Sequence, residues 1–151
     1  MNAIDERSLR VCLVDDDEDH ALLITRAIRE SGQGTTVETV DDGEKALALL
    51  RGADAAPDLI LLDINMPGLS GLDVLAEVKG DAGLKRIPVV MLTSSELPSD
   101  VSRAYELGAS GYITKSGLSH DMRAVLGNTL LYWSAMKRTP GSAPAGAEGS
   151  L

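Results

Sequence analysis

The sequence predicts an α/β protein in which helices cover both faces of a parallel sheet. Strand-like and helix-like segments alternate about five times along the chain, which is typical of doubly wound α/β folds. Two strand segments, residues 59–62 and 87–92, are apolar without interruption, as expected of strands buried on both faces. A polar residue follows each strand segment directly. Because open α/β sheets bind ligands at the carboxyl ends of their strands, we expect the functional residues there.

The first half of the chain contains three predicted strands and two predicted helices. The strands span residues 9–14, 35–40 and 59–62, and the helices span residues 20–28 and 43–51. Three acids, Asp17 to Asp19, stand where carboxylates cap the first helix and oppose its dipole favourably. Asp41 or Asp42 caps the second helix. The second strand is β-branched and alternating, which predicts an edge strand.

The second half continues the alternation after the turn Met66-Pro67-Gly68. Helices are predicted over residues 72–78, 98–107 and 118–136, with strands over 87–92 and 111–114 between them. The chain is short for a doubly wound protein. The five-stranded, flavodoxin-like order 2-1-3-4-5 therefore fits better than the longer dinucleotide-binding order.

Composition limits the function classes. A net charge of −9 and a pI near 4.6 argue against binding to nucleic acid or to anionic membranes, and suit a cation or a basic partner. No apolar run approaches the length of a membrane span. Cys12 is the single cysteine, so an intramolecular disulfide is excluded and a cytoplasmic location is expected. Within its apolar run, Cys12 itself is expected to be a small buried hydrophobe.

The chain is predicted to contain one domain. Residues 1–8 form a polar lead-in, residues 9–136 form the domain, and residues 137–151 form a flexible tail. The tail is rich in Pro, Gly, Ala and Ser, a composition that buries too little surface to order itself.

Acidic side chains are predicted to meet at the edge of the sheet. Asp15 and Asp16 follow the first strand, and Asp63 follows the third. Three neighbouring carboxylates raise one another's pKa unless a cation joins them. A hard divalent ion with oxygen ligands meets this need, and Mg²⁺ (or Mn²⁺) is expected where a phosphate completes the coordination.

Two further strand ends supply groups for phosphoryl chemistry. Thr93 follows the fourth strand and Lys115 follows the fifth, and both side chains are suited to hold phosphoryl oxygens. Asp63, at the end of the central strand, is the candidate nucleophile that forms an aspartyl phosphate. Each residue has an ordinary alternative, such as a helix cap, a turn-opening acid or a surface lysine. The joint placement at successive strand ends favours the functional interpretation.

Four motifs carry a family resemblance that covers residues 9–136. They are LVDDD (residues 13–17), LLDINMPGLSG (61–71), VVMLTSS (89–95) and GASGYITK (108–115). Together they resemble the response-regulator receiver domains of bacterial two-component signalling, of the kind found in chemotaxis regulators. The resemblance implies a regulator rather than an enzyme acting on a separate substrate. Such a regulator catalyses its own aspartyl phosphorylation and dephosphorylation.

The resemblance also implies roles for individual residues. Asp63 receives the phosphoryl group from the phosphohistidine of a sensor histidine kinase. Mg²⁺ is bound by Asp16 and Asp63, by Asp15 through water, and by the backbone carbonyl of Asn65. Thr93 and Tyr112 form a switch pair in which Tyr112 turns inward behind Thr93; an amphipathic edge-strand aromatic is the alternative for Tyr112.

The sequence departs from the family at one position of this site. Ser116 follows Lys115 where receiver domains usually have a proline and a cis peptide bond. A cis bond without proline costs several kcal/mol, so the sequence leaves the conformation of this turn open.

A narrower resemblance is to stand-alone regulators that pair with bacterial phytochrome kinases. It depends on the serine after the lysine and on the long last helix. One stripe of that helix faces the core; a second stripe, with a tyrosine beside it, predicts a partner surface. The residues of this surface are Ala124, Asn128, Leu131, Tyr132 and Ala135. We expect a homodimer through the fourth helix, the fifth strand and the last helix.

Three other classes were compared with this interpretation. A phosphatase of the haloacid-dehalogenase type needs a second acid two residues after its nucleophile, where this chain has Asn65. A dinucleotide-binding module needs glycines after the first strand, where this chain has acids. A phosphorylation-independent interaction domain is expected to lack one of Asp63, Thr93 or Lys115, and all three are present.

Overall fold

Five parallel strands form the centre of the molecule in the order β2-β1-β3-β4-β5. The computed structural model describes residues 9–31, 34–52, 54, 56–118 and 121–137. The strands are β1 (Arg10–Val14), β2 (Thr36–Val40), β3 (Leu59–Leu62), β4 (Val89–Thr93) and β5 (Gly111–Thr114). The predicted sheet order and the predicted edge position of β2 are therefore confirmed. The predicted lead-in, and the predicted tail beyond residue 137, lie outside the described residues.

Six helices of the described part of the chain cover the two faces of the sheet. They are α1 (Glu18–Glu30), α2 (Gly43–Gly52), α3 (Gly71–Gly80), α4 (Pro98–Glu106), α5 (Lys115–Leu118) and α6 (Met122–Lys137). One core cluster lies under α2, α3 and α4, and the other lies under α1 and α6. Each residue of β3 is buried, because helices pack against both sides of this central strand.

The capping contacts agree with the caps predicted for α1 and α2. Asp17 is the N-cap of α1, and its side chain accepts a hydrogen bond from the amide of His20. Asp42, rather than Asp41, caps α2, since its carboxylate accepts a hydrogen bond from the amide of Lys45 at 2.7 Å. Ser70 opens α3 with a capping box. Side chains that satisfy free amides fix where each helix begins.

The prediction of one helix over residues 118–136 is wrong at its start. The structure has the short helix α5 directly after β5, and α6 begins only at Met122. Thr114 explains the early turn, because its Oγ1 accepts a hydrogen bond from the Gly117 amide at 3.1 Å. A hydroxyl that caps an amide three residues later begins a helical turn at once. The Lys115–Ser116 peptide bond is trans.

Two further findings concern Cys12 and the lengths of the helices. Cys12 is buried, as predicted, and burial, with the Glu38 charge as a second cause, raises the pKa of its thiol to about 12. Among the residues described, no helix combines the length and the apolar character that crossing a lipid bilayer requires.

Candidate functional site at the strand ends

Two acids continue the sheet by one residue beyond their strands. The Asp15 amide donates a hydrogen bond to the carbonyl oxygen of Val40, and the Asp63 amide donates one to that of Val14, each at 3.0 Å. The ladder therefore extends to both acids and holds them side by side. One carboxylate oxygen from each of Asp15, Asp16 and Asp63 lies within 4.8 Å of the others. Asp15 and Asp63 are each 3% exposed, whereas Asp16 is exposed to solvent.

Lys115 lies between the two buried acids. Its Nζ is 3.0 Å from Asp15 Oδ2 and 3.4 Å from Asp63 Oδ2. Burial alone would lower the pKa of the Lys115 ammonium, but the contacts with Asp15 and Asp63 outweigh it, so this pKa lies above its usual value. The lysine thus stays charged and neutralises part of the acidic cluster.

Asp15 is in the most constrained position of the cluster. Burial raises the pKa of its carboxyl, and the hydrogen bond from the Asp17 amide at 2.9 Å and the charge of Lys115 offset this effect only in part. Asp15 Oδ2 is buried and accepts no hydrogen bond of normal geometry from the described residues, although Lys115 Nζ lies near it. A buried carboxylate oxygen without a hydrogen bond is costly unless a positive charge lies beside it, and here Lys115 supplies one. Asp15, Asp16 and Asp63 together carry more negative charge than one lysine neutralises, which fits a hard divalent ion.

Thr93 ends β4 beside the acids and is fully buried. Its Oγ1 accepts a hydrogen bond from the amide of Ser95 at 3.2 Å. Tyr112, on β5, is half-buried, and its hydroxyl donates a hydrogen bond to the carbonyl oxygen of Ser95 at 2.9 Å. Burial raises the pKa of the Tyr112 phenol. Thr93 and Tyr112 therefore both contact the loop that follows β4.

The loop after β3 and the start of α3 contact the backbone and side chain of Asp63. The Gly71 amide donates a hydrogen bond to the carbonyl oxygen of Ile64 at 2.9 Å. A Cβ placed on Gly71 would lie 1.9 Å from the carbonyl oxygen of Asp63. The Asn65 amide donates to Asp63 Oδ1 at 3.3 Å. The start of α3 is thus packed directly against the backbone of the candidate nucleophile.

The structure divides the predicted site residues into two groups. Asp15, Asp16, Asp63, Thr93 and Lys115 meet at the carboxyl ends of the strands, with Asn65 and Tyr112 beside them. The predicted surface residues of α6 lie elsewhere, on the solvent side of that helix, and all are exposed: Ala124, Asn128, Leu131, Tyr132 and Ala135. The predicted core stripe of α6 is also present, since Leu126 and Leu130 are buried.

Sequence reasoning missed two side chains near the site, His20 and Glu96. His20 Nδ1 lies 4.0 Å from Asp15 Oδ2 and has no hydrogen-bond partner among the described residues. Its position three residues after the N-cap Asp17 was a usable signal, because one helical turn returns a side chain to the cap. Glu96 and Ser116 are hydrogen-bonded across two loops. Such a contact depends on loop conformation, and no spacing in the sequence indicates it.

The comparisons with known proteins agree with this geometry. The family model for the response regulator receiver domain matches residues 11–126. The response regulator Rcp1 of Synechocystis is 35% identical over 128 residues, which cover 82% of this chain and 87% of Rcp1. The chemotaxis protein CheY-3 of Vibrio cholerae is 34% identical over 115 residues, which cover 76% of this chain and 86% of that protein.

Solved structures give the same result. The phosphorylated cyanobacterial phytochrome response regulator RcpA is 37% identical, with a TM-score of 0.78 over 85% of this chain and 96% of RcpA. The Mn²⁺-bound form of Rcp1 is 35% identical, with a TM-score of 0.75 over 83% of this chain and 94% of Rcp1. This chain therefore shares its fold with these regulators, and its acids, hydroxyl and lysine lie at the strand ends of that fold. The chain belongs to the response-regulator receiver family of two-component signalling.

Proposed function

We propose that Asp63 is the phosphoacceptor of this receiver domain and that a sensor histidine kinase is the donor. In the transfer, the phosphorus–nitrogen bond of a phosphohistidine breaks and a bond forms between phosphorus and an Asp63 carboxylate oxygen. Hydrolysis then breaks the new bond, returns the carboxylate and releases phosphate. The observation that carries the proposal is Asp63 itself. It is a buried carboxylate at the end of the central strand, with Lys115 Nζ 3.4 Å from Oδ2.

The residues around Asp63 suit both the gain of the phosphoryl group and its loss by hydrolysis. Lys115 places its ammonium beside Asp63 Oδ2, where negative charge of the phosphoryl oxygens would collect. The Thr93 hydroxyl, on the neighbouring strand, is proposed to hold a further phosphoryl oxygen. These groups belong to the regulator rather than to the kinase, so we propose that the chain catalyses its own phosphorylation and dephosphorylation.

The acidic cluster is proposed to bind Mg²⁺ or Mn²⁺. Asp16 and Asp63 would bind the ion directly, Asp15 through water, and Asn65 through its backbone carbonyl. When bound, the ion neutralises charge on the carboxylates and on the transferred phosphoryl group. Carboxylate oxygens of these three acids within 4.8 Å of one another support a cation here, and the related Rcp1 has a Mn²⁺-bound form.

Thr93 and Tyr112 are proposed to be the switch that reports phosphorylation. Both contact Ser95, Thr93 through the Ser95 amide and Tyr112 through the Ser95 carbonyl. If Thr93 turns towards a phosphoryl group on Asp63, the Ser95 backbone loses one of its restraints. Tyr112 is then free to move further inward.

The partners are proposed from the relatives and from the surface. The similarity to the phytochrome response regulator RcpA supports a phytochrome histidine kinase as the donor. We propose a cytoplasmic location, which is typical of this family. Exposed apolar residues on α4 and α6 support a homodimer through α4, β5 and α6.

A phosphatase of the haloacid-dehalogenase type receives no support from the site. Asn65 occupies the position of the second acid, and an amide cannot protonate a leaving group.

The phosphoacceptor assignment is tested by intact-mass measurement after incubation with Mg²⁺ and a small phosphodonor. Wild type should gain one phosphoryl group, and Asp63→Asn should gain none because the carboxylate nucleophile is absent. EDTA should suppress the reaction of wild type. Asp54→Asn, at an exposed acid outside the site, is the matched control and should react like wild type. An adduct on Asp63→Asn at the wild-type rate would refute the assignment.

A further inference from the structure

A relay of hydrogen bonds joins the turn after β5 to the loop after β4. The Gly117 amide donates to Thr114 Oγ1 at 3.1 Å, and Thr114 Oγ1 lies 3.3 Å from Ser116 Oγ. Ser116 Oγ is in turn 2.6 Å from Glu96 Oε2. A carboxylate only accepts, so the Ser116 hydroxyl is the donor in its contact with Glu96.

The contact between Glu96 and Ser116 closes a ring of residues that includes Lys115. Thr93 and Thr114 are paired in the ladder between β4 and β5, which joins the two strands at their last residues. Glu96 lies three residues after Thr93, and Ser116 lies two residues after Thr114. The strand pairing closes one side of the ring and the Glu96–Ser116 hydrogen bond closes the other. Lys115 lies between the two closures.

The loop after β4 has further attachments. The Tyr112 hydroxyl donates to the Ser95 carbonyl oxygen, and Ser95 Oγ donates to Asp100 at the start of α4. The loop is therefore held from β5 and from α4, which makes it a firm anchor for the turn that carries Lys115. Glu96 and Ser116 themselves are exposed, so their hydrogen bond contributes modestly to overall stability.

Ser116 changes the chemistry of this turn. A proline after the lysine would restrict the backbone through its ring and would offer no hydrogen bond. Serine removes the ring and adds a hydroxyl, and the structure directs this hydroxyl to Glu96. The restraint that the backbone lacks is thus replaced by a hydrogen bond between the first turn of α5 and the loop after β4.

We propose that Glu96 and Ser116 are positioning residues for Lys115. Their hydrogen bond, the Glu96–Ser116 clasp, fixes the backbone from which Lys115 reaches Asp63. The inference rests on the proposed phosphoacceptor function, because it concerns the rate of that reaction. Neither residue touches the phosphoryl group, so each acts only through the placement of the lysine.

The first test compares phosphorylation rates at saturating Mg²⁺ and saturating small phosphodonor, measured by intact mass. Ser116→Ala and Glu96→Ala should each slow the reaction about threefold, the effect of one exposed hydrogen bond. The double variant should be no slower than either single variant, since both remove the same contact. Glu96→Gln, which keeps an acceptor oxygen, should react nearly as fast as wild type. Unchanged single-variant rates, or losses that multiply in the double variant, would overturn the proposal.

A second readout requires no phosphorylation. In metal-free protein, Glu96→Ala should shift the amide resonances of Lys115 and Gly117, which lie across the gap between the loops. Ser102→Ala and Glu106→Ala, at exposed positions on α4, are the controls and should leave both resonances in place. If wild type gained no phosphoryl adduct, the proposed function would fail. The resonances would still show whether the Glu96–Ser116 clasp fixes the backbone at Lys115. Unmoved resonances in Glu96→Ala would overturn it.

Discussion

Loss of Lys115 should destabilise the metal-free protein, because this lysine lies between two buried carboxylates. Lys115→Met should lower the free energy of unfolding by about 3 kcal/mol at pH 7 in EDTA, the usual scale for breaking a buried ion pair. The deficit should shrink as the pH falls. The pKa of Asp15 is already raised above 3.8, so the folded state binds this proton more tightly than the unfolded state. Acid therefore relieves the repulsion between Asp15 and Asp63.

Denaturant titrations at pH 7 and pH 5 measure this effect. The matched control is Lys45→Met, which removes an exposed lysine paired with Asp41 and should change stability little. Saturating Mg²⁺ should restore part of the stability of Lys115→Met, since the ion takes over neutralisation of the acids. Equal losses in the two variants, or a deficit that does not depend on pH, would contradict the role assigned to Lys115.

Thr93 should be needed for the response to phosphorylation, whereas its loss should slow the reaction without preventing it. Thr93→Ala should still accept phosphate on Asp63, because the nucleophile, Lys115 and the acids remain. The amide resonances of Ser95 and Tyr112 should respond to phosphorylation in wild type and much less in the variant. Thr39→Ala, an exposed threonine of β2, serves as the control. The same response in wild type and Thr93→Ala would mean that the two residues are not coupled.

At the level of single residues, the sequence predicted the members of the site better than their contacts. Acids, a hydroxyl and a lysine directly after successive apolar runs must meet at one sheet edge, so Asp15, Asp63 and Lys115 could be placed together. Glu96 could not be found in this way. Its proximity to the site depends on loop path, which alternation and spacing do not encode.

Helix α3 is the element on which the position of Asp63 depends most directly. Gly71→Ala should lower the free energy of unfolding by about 1–3 kcal/mol, the range for an overpacked core. It should also slow phosphorylation, because the added methyl group collides with the Asp63 carbonyl. Denaturant unfolding and the intact-mass assay measure the two effects.

The same helix supplies the control. Gly80 ends α3, and a Cβ placed there meets no heavy atom within 4 Å. Gly80→Ala should leave phosphorylation unchanged and should raise stability by up to about 1 kcal/mol through helix propensity. If both alanine variants phosphorylated at the wild-type rate, α3 would not be positioning Asp63.

The strands were more predictable than the helix starts. Uninterrupted apolar runs identify β3 and β4, because no other short element is buried on both faces. The start of α6 was not predictable, since the separate turn α5 depends on a single cap from Thr114 to the Gly117 amide. Threonine at the end of a strand is common, and only its conformation shows that it also begins a helix.

The whole molecule should form a homodimer through the face of α4, β5 and α6. Leu97 directly before α4, Tyr105 on α4, and Leu131 and Tyr132 on α6 are each about half exposed or more. Stable two-fold interfaces bury roughly 1,600 Å² in total, so they require apolar surface on more than one element. Light scattering at micromolar concentration, with and without a phosphoryl mimic, should give the mass of a dimer in at least one state.

A pair of leucine variants locates the interface. Leu131→Glu should yield a monomer, because it places a charge in the proposed contact. Leu22→Glu, at a similarly exposed leucine of α1, should leave the dimer intact. A monomer's mass for wild type in both states would exclude the dimer, and a dimer lost only in Leu22→Glu would move the interface to α1.

The residues of the candidate site come from distant parts of the chain, which has a consequence during synthesis of the protein. The acids of β1 and β3 emerge from the ribosome well before β5, and Lys115 follows the last strand of the sheet. Domains gain their packed structure only when the strands that complete them are available. A nascent or truncated chain without β5 therefore carries Asp63 without the lysine beside it. If Asp63 is the phosphoacceptor, as proposed, such a chain should accept phosphate poorly, and the phosphorylated pool should consist of molecules with a complete sheet.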